Sequence, residues 1–385
     1  MISRDDIRAA RATLAAFMVN GFAWGGFAGQ VPLIKARIGA GDADFGLAMF
    51  VAAIGAVAAM WLAPRFDARF GARAMLVLAL LLAGSFLLPG IVLSVWVFAL
   101  AMMLCSATSG SLDVIMNARL SSIEAERKRP LMNFAHAMFS FAYAFAALVA
   151  GFAREAGWPP VLIFGFLGVL SCLLCYIVAQ DRMRDSHGED EGAARAPSAL
   201  LWLGGVVILV AFMSEQATEG WSALHLERNL GAGAAEGAFG PAILGLTMGI
   251  GRMTGQAVVQ RLAPLSVIAV TAAMSALGAF IAASASSLNM AYLGFALLGG
   301  GISVIAPMAY AYVGTRVSER ARTHAIARIS VIGYAGFFIG PPMMGLLAEA
   351  FGLAASFSVI GLCLAGVLLV FVPALYRYDR RQAHA

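Results

Sequence analysis

The sequence predicts an all-α membrane protein of twelve transmembrane helices arranged as two pseudo-symmetric six-helix bundles. Three observations carry that expectation. The 385 residues are 61% hydrophobic and only 12% charged, whereas ordinary soluble domains carry about 25% charged residues. The apolar residues fall into twelve runs close to the roughly 20 residues that a spanning helix needs. The cations between those runs are distributed so unevenly that they define two sides. Low charge with abundant Leu, Val, Ile and Phe excludes a disordered chain, and the 42 glycines follow no collagen period.

The first run, 10–34, follows Arg4, Arg8 and Arg11, but it holds Asn20 and Gln30 and leads into further spans. It therefore reads as a retained helix and not a cleaved signal. Apolar length and Gly, Pro and charge punctuation then place spans at 44–63, 73–90, 95–117, 131–153 and 159–179. The longest hydrophilic stretch, 181–198, reads as a flexible cytoplasmic linker, and its His187 as a solvated residue. Six more spans follow at 199–222, 237–258, 265–285, 288–313, 325–348 and 353–376. The chain thus divides into an N-terminal bundle (1–180), a linker (181–198) and a C-terminal bundle (199–385).

With twelve spans, alternate gaps share a side. One side then takes 21 of the 26 cations, the other takes Lys35, Arg37, Arg154 and Arg228, and Arg252 alone stays inside a span. This asymmetry predicts cytoplasmic N- and C-termini. The net charge of +5 is spread through these gaps, so no nucleic-acid partner is expected. The four cysteines, Cys105, Cys172, Cys175 and Cys363, lie within apolar runs and read as helix packing.

An internal repeat supports the two halves. Ile38-Gly-Ala-Gly41 returns as Leu230-Gly-Ala-Gly233, Ala63 with Arg69 as Gly255 with Arg261, and Glu126-Arg-Lys-Arg129 as Glu319-Arg-Ala-Arg322. The three landmarks keep their order and nearly one offset. Duplicated six-helix units are the mark of a transporter whose site lies between the halves near the midplane.

At this point the chain resembles the major facilitator superfamily, over essentially its whole length, and within it the YbjJ-like branch of bacterial inner-membrane permeases. The resemblance is carried by Gly110-Ser-Leu-Asp113-Val-Ile-Met-Asn117, by Glu126-Arg127 leading to Arg129-Pro-Leu-Met-Asn133-Phe-Ala-His136, by Glu215 with Glu219-Gly-Trp221, and by Gly251-Arg252 with Gly255. The superfamily's inner-loop signature is degenerate here, as Ala63-Pro-Arg-Phe-Asp67-Ala-Arg69-Phe-Gly71-Ala-Arg73, with Ala68 where an acid normally stands beside Arg69. The resemblance implies the major facilitator fold, alternating access and a distant likeness to proton-coupled sugar porters in a bacterial inner membrane.

Ionisable side chains at membrane depth are costly, so each is a candidate for function. Glu215 and Glu219, spaced i, i+4 on the seventh span, share a face about 6 Å apart. Two carboxylates that close are hard to ionise together, the property a proton carrier needs. They read as proton-coupling residues, with lining of a hydrated cavity as the alternative. Arg252 calls for an acidic partner, either Glu215 or Glu219, in a switchable or a permanent pair. Asp113 and Asn117 read as an inner-gate network with Arg69 or Arg73, or as substrate contacts. His136 is a proton relay or a packing residue. Asn20, Trp24, Gln30, Asn133, Tyr143 and Trp221 offer the donors, acceptors and flat faces that bind a polar solute, although Trp221 also suits an interfacial belt.

No Walker motif, nucleophile triad or metal-ligand cluster is visible, so no enzyme activity, cofactor or metal is expected. The sequence reads as a monomeric, proton-coupled permease for a small polar, sugar-like solute, with efflux of amphiphilic compounds or a transport-dead sensor as alternatives.

Overall fold

A computed structural model describes residues 3–181, 197–259 and 262–383. Among them it holds thirteen α-helices and no strand. The helices are α1 (Arg4–Arg37), α2 (Asp42–Phe70), α3 (Ala74–Ser85), α4 (Val95–Arg127), α5 (Met132–Glu155), α6 (Pro160–Val178), α7 (Ser198–Leu230), α8 (Ala234–Val259), α9 (Pro264–Ala283), α10 (Leu288–Gly314), α11 (Glu319–Phe351), α12 (Leu353–Gly366) and α13 (Val372–Ala383). A single π-helical turn, Val367–Phe371, runs α12 into α13. The chain enters α1 earlier than the hydropathy suggests, because Ser3 and Asp6 form a capping box that satisfies the first backbone N–H groups. It leaves α3 earlier than expected, in a 3-10 turn at Leu88–Gly90 that carries Pro89.

Among the described residues, ten segments are long and apolar enough to cross a membrane, and none of them lies in α1 or α8. Those two helices carry Asn20, Trp24 and Gln30, and Thr247 and Arg252. Protein surrounds α1, which packs on α3, α4, α5, α6, α7 and α8, and such surroundings tolerate polar groups that lipid would not. The linker 181–198, His187 and Arg261 fall wholly or largely outside the described residues.

Packing within the first six helices pairs α1 with α5, α2 with α4 and α3 with α6; within the rest it pairs α7 with α11, α8 with α10 and α9 with α12. The second set is the first advanced by six. Two seams join the sets, α2 on α11 and α5 on α8, and the same shift exchanges one seam for the other. Close approach depends on glycine. A Cβ on Gly25 of α1 would lie 2.1 Å from the Tyr143 carbonyl oxygen of α5, and one on Gly46 of α2 would lie 2.5 Å from the Pro341 carbonyl oxygen of α11.

The helices alternate in direction, so the bundle has a terminal end, near Ser3, and a distal end, near residues 38–41 and 231–233. Trp61 and Trp202 are exposed towards the terminal end and Trp96 and Trp158 towards the distal end. Aromatic rings at both rims of an apolar belt suit the two interfaces of a bilayer.

Candidate functional site

The site begins with α7. This helix runs unbroken to Gly231, whose positive φ of 68° ends it, so the i, i+4 spacing of Glu215 and Glu219 survives as one face. Glu215 Oε1 accepts a hydrogen bond from Arg252 Nη2 at 3.1 Å, with both side chains only 14% exposed. The second arm of the guanidinium crosses the seam: Nη1 donates to Ser140 Oγ at 2.6 Å and to the His136 carbonyl at 3.4 Å, both on α5. Arg252 thereby ties α7 and α8 to α5. The pairing left open by the sequence is Arg252 with Glu215.

Glu219 makes no hydrogen bond among the described residues. It lies within electrostatic reach of Glu215, Arg252 and Tyr143. The Tyr143 hydroxyl is buried without a partner, and its ring packs where a Cβ on Gly245 of α8 would lie 2.7 Å from Cδ1. One carboxylate is thus paired with Arg252, and the other makes no hydrogen bond among the described residues, within electrostatic reach of an unsatisfied phenol. A buried polar atom without a partner calls for a ligand, a water or a proton-transfer role.

The remaining sequence candidates fall into separate groups. Ser109 Oγ donates to Asn20 Oδ1 at 2.8 Å and accepts from Trp24 Nε1 at 2.8 Å, which ties α1 to α4. Gln30, fully buried, donates through Nε2 to the Ala150 carbonyl of α5 at 2.9 Å and leaves Oε1 unpaired. The ring of His136 meets Phe17 edge-on at 4.9 Å, and Asn133 is half-buried one turn before it. Trp221 is 1% exposed and packs edge-on against Phe45 of α2 at 5.6 Å. The belt alternative for Trp221 is corrected by that burial: it bridges the two sets of helices.

Asn117 Nδ2 bonds within its own helix, to the Asp113 carbonyl at 2.8 Å, and Asp113 lies within electrostatic reach of Tyr334 on α11. The expected partners Arg69 and Arg73 are exposed, and Arg69 stacks over the neighbouring Phe70 ring at 5.8 Å. In this conformation neither arginine pairs with Asp113 among the described residues. The terminal-end pair is Arg119 with Asp67, at 2.6 Å and with Arg119 fully buried, joined by Asp181 at 3.6 Å. Asp67, one place from where the inner-loop signature carries its acid, still finds a guanidinium.

Sequence reasoning also missed the distal end. Asp42 of α2 accepts bidentately from Arg228 of α7, at 2.6 and 2.9 Å, and pairs with Lys35 at 2.8 Å. Arg154 of α5 pairs with Glu227 of α7 and donates to the Ala234 carbonyl at 2.8 Å. A signal was available: Lys35, Arg37, Arg154 and Arg228 are the few cations that the topology leaves on that side, and three of the four sit on acids.

Comparison with known proteins agrees with this architecture. The model of the Major Facilitator Superfamily matches residues 13–283 and 204–385, and the chain belongs to that superfamily. An uncharacterised MFS-type transporter of Yersinia pestis is 30% identical over 91% of this chain and 92% of its own length. Membrane protein MosC of Rhizobium meliloti is 27% identical, over 88% of this chain and 83% of its own. Among solved structures, a bacterial homologue of the human lysosomal transporter Spinster, in an inward-facing and occupied conformation, superposes with a TM-score of 0.75 at 15% identity over 96% of each chain. The nucleoside transporter NupG superposes with a TM-score of 0.72 at 12% identity, over 96% of this chain and 98% of that one. The chain is therefore a membrane transporter protein with multiple apolar helices, and the level at which it is placed is the superfamily.

Proposed function

We propose that this protein is a proton-coupled secondary transporter that moves a small polar, sugar-like solute across a bacterial inner membrane by alternating access. Twelve spans divide into an N-terminal bundle (1–180) and a C-terminal bundle (199–385), joined by a cytoplasmic linker (181–198). The terminal end faces the cytoplasm, and the protein works as a monomer. The observation that carries the reading is the pairing of Glu215 with Arg252 while Arg252 also reaches across to Ser140 and His136, with Glu219 making no hydrogen bond among the described residues and the Tyr143 hydroxyl, within its electrostatic reach, buried without a partner.

Two carboxylates and one guanidinium at mid-depth cannot all be charge-balanced at once. Glu219 takes the proton, and solute hydroxyls compete for Tyr143, Glu215 and Arg252. Loss of the Arg252 contacts to α5 then frees the seam to move, so that proton and solute binding act on one mobile element. His136 and Asn133 line the first-half side, and Trp221 supplies a flat apolar face.

The test is uptake into proteoliposomes under an imposed pH gradient, alongside solute counterflow without one. Glu219→Gln is expected to keep counterflow and to lose at least tenfold of the gradient-driven uptake, since the gradient then has no group to load. Gradient-driven uptake equal to wild type in that variant removes Glu219 from the coupling.

A further inference from the structure

The repeated Gly-Ala-Gly segments have a structural use that the transport reading does not assign. Gly41 and Gly233 are the residues before α2 and α8, and their carbonyls accept the first helical hydrogen bonds, from Phe45 N at 3.1 Å and Gly237 N at 2.8 Å. Both are N-caps without a side chain to satisfy the free N–H groups of the first turn. In each case a glutamate from the other set of helices does so. Ala43 N donates to Glu349 Oε2 of α11 at 3.0 Å, and Ala235 N donates to Glu155 Oε2 of α5 at 3.1 Å. The two arrangements match in their caps and their cross-seam glutamates, and differ in that, among the described residues, only the second also closes a hydrogen bond from its cap N–H to the acid three residues on. Gly41 corresponds to Gly233 and Ala43 to Ala235. Asp44 corresponds to Glu236, whose carboxylate accepts from Gly233 N at 3.0 Å, and Glu155 of α5 corresponds to Glu349 of α11.

The absence of a side chain on the two caps makes the room. A Cβ on Gly41 would lie 3.1 Å from Glu349 Oε2, and one on Gly233 would lie 3.3 Å from Glu155 Oε2. The backbone of Gly41 is extended, at φ −63° and ψ 174°, a conformation any residue adopts. A side chain at position 41 would therefore press on the Glu349 carboxylate, which must give by a few tenths of an ångström.

We propose that Glu155 and Glu349 are positioning residues of a reciprocal latch: each half caps the second helix of the other, and the two caps hold the distal end shut until solute movement breaks both. A carboxylate on an N-terminal N–H gains from the hydrogen bond and from the helix dipole, and both gains vanish when the ends separate. The two caps sit at the ends of the α2–α11 and α5–α8 seams, so together they resist opening from either side. An ordinary helix cap supplied from within one half would stabilise the helix without caring whether the gate is open. A cap supplied across the seam stabilises only the closed state, and so it shifts the population.

The inference rests on the alternating-access reading, and one experiment separates the two. Spin labels at Trp158→Cys and Asn229→Cys, in a background without native cysteines, report the distal distance in detergent and in nanodiscs. Each of Glu155→Ala and Glu349→Ala is expected to raise the open-to-closed ratio about three- to fivefold, and the double variant about tenfold or more. Gly41→Ala, which keeps the glutamate but crowds it, is expected to move the ratio the same way by less. Glu349→Asp and Glu155→Asp are expected to fall between wild type and alanine. A distance that shifts with membrane pH gradient or solute but ignores both glutamates overturns the latch alone. A distance fixed in wild type and in every variant overturns alternating access, and the latch with it.

Discussion

The two ends of the bundle use charge differently. Among the described residues, the pairs that join the first six helices to the last six lie at the distal end, Asp42 to Arg228 and Arg154 to Glu227, beside the within-set pair of Lys35 with Asp42. At the terminal end the charges pair within a set: Asp67 with Arg119, Asp6 with Arg127, and Arg316 with Asp379. All are ion pairs in contact, but their consequences differ. A pair within a set is kept through any motion of one set against the other, so it adds to the stability of that set. A pair across the seam exists only while that end is shut, so it biases the conformation. Position relative to the seam decides which of these a salt bridge does.

The comparison breaks most visibly at Asp67. Arg119 is fully buried, and removing a partner from a buried guanidinium leaves an under-compensated charge. Asp67→Ala is expected to lower stability by about 3 kcal/mol, read as an earlier thermal unfolding in detergent, while the distal distance stays as in wild type. A shifted distal distance without lost stability would put this pair on the wrong side of the contrast. Arg154→Met is expected to behave in the opposite way. It leaves Glu227 without its cation only in the shut state, at a cost of about 1–2 kcal/mol, which is roughly a tenfold gain of the open form. Thermal stability should change less than in Asp67→Ala. Equal effects of the two substitutions on both readouts would erase the distinction between the ends.

Much of this arrangement was legible in the sequence where the physics is local. Glu215, Glu219, Arg252 and Asp113 stand out because a charge inside an apolar run is expensive wherever the helix packs. The i, i+4 spacing of the two glutamates needed only a helix to become a shared face. The site of Arg252 was legible but its partner was not, since Glu215 and Glu219 lie one turn apart and only the crossing of α7 and α8 chooses between them. Arg154 stood out as one of the few cations on its side, but its partner Glu227 did not, and neither did the pairings of Asp67 and Asp42. Charges at span ends are ordinary, and nothing in a single sequence brings Asp42 to Arg228. Asn20, Trp24 and Gln30 offer solute-binding groups by type, and folding also gives each a helix contact, to Ser109 or to the Ala150 carbonyl, with Gln30 Oε1 left unpaired. Polar side chains in a membrane helix serve helix contacts as readily as ligands. The Gly-Ala-Gly repeat was visible as a pattern, yet its use depends on two glutamates that only folding brings near.

The smallest expected effect belongs to the terminal end and tests whether a within-set pair acts on stability through its charge. Asp6 precedes the apolar part of α1. The Ser3 backbone N–H and then the Ser3 hydroxyl hold its carboxyl below the ordinary value of 3.8, with Arg127 adding to them. A carboxylate held below its unfolded value contributes stability that is full above that value and is lost as pH falls through the folded one. Asp6→Asn should therefore unfold earlier than wild type at pH 6, and the difference should shrink towards zero as pH falls below about 3.8. Because the backbone N–H of residue 3 is the largest cause and survives in alanine, Ser3→Ala should remove only the part of the pH-dependent difference that the hydroxyl supplies, and Arg127→Gln only the part that the guanidinium adds. The distal distance should be unchanged in all three, since α1 and α4 belong to one set. A difference between Asp6→Asn and wild type that stays constant from pH 6 to pH 3 would mean that shape, and not charge, holds this corner together.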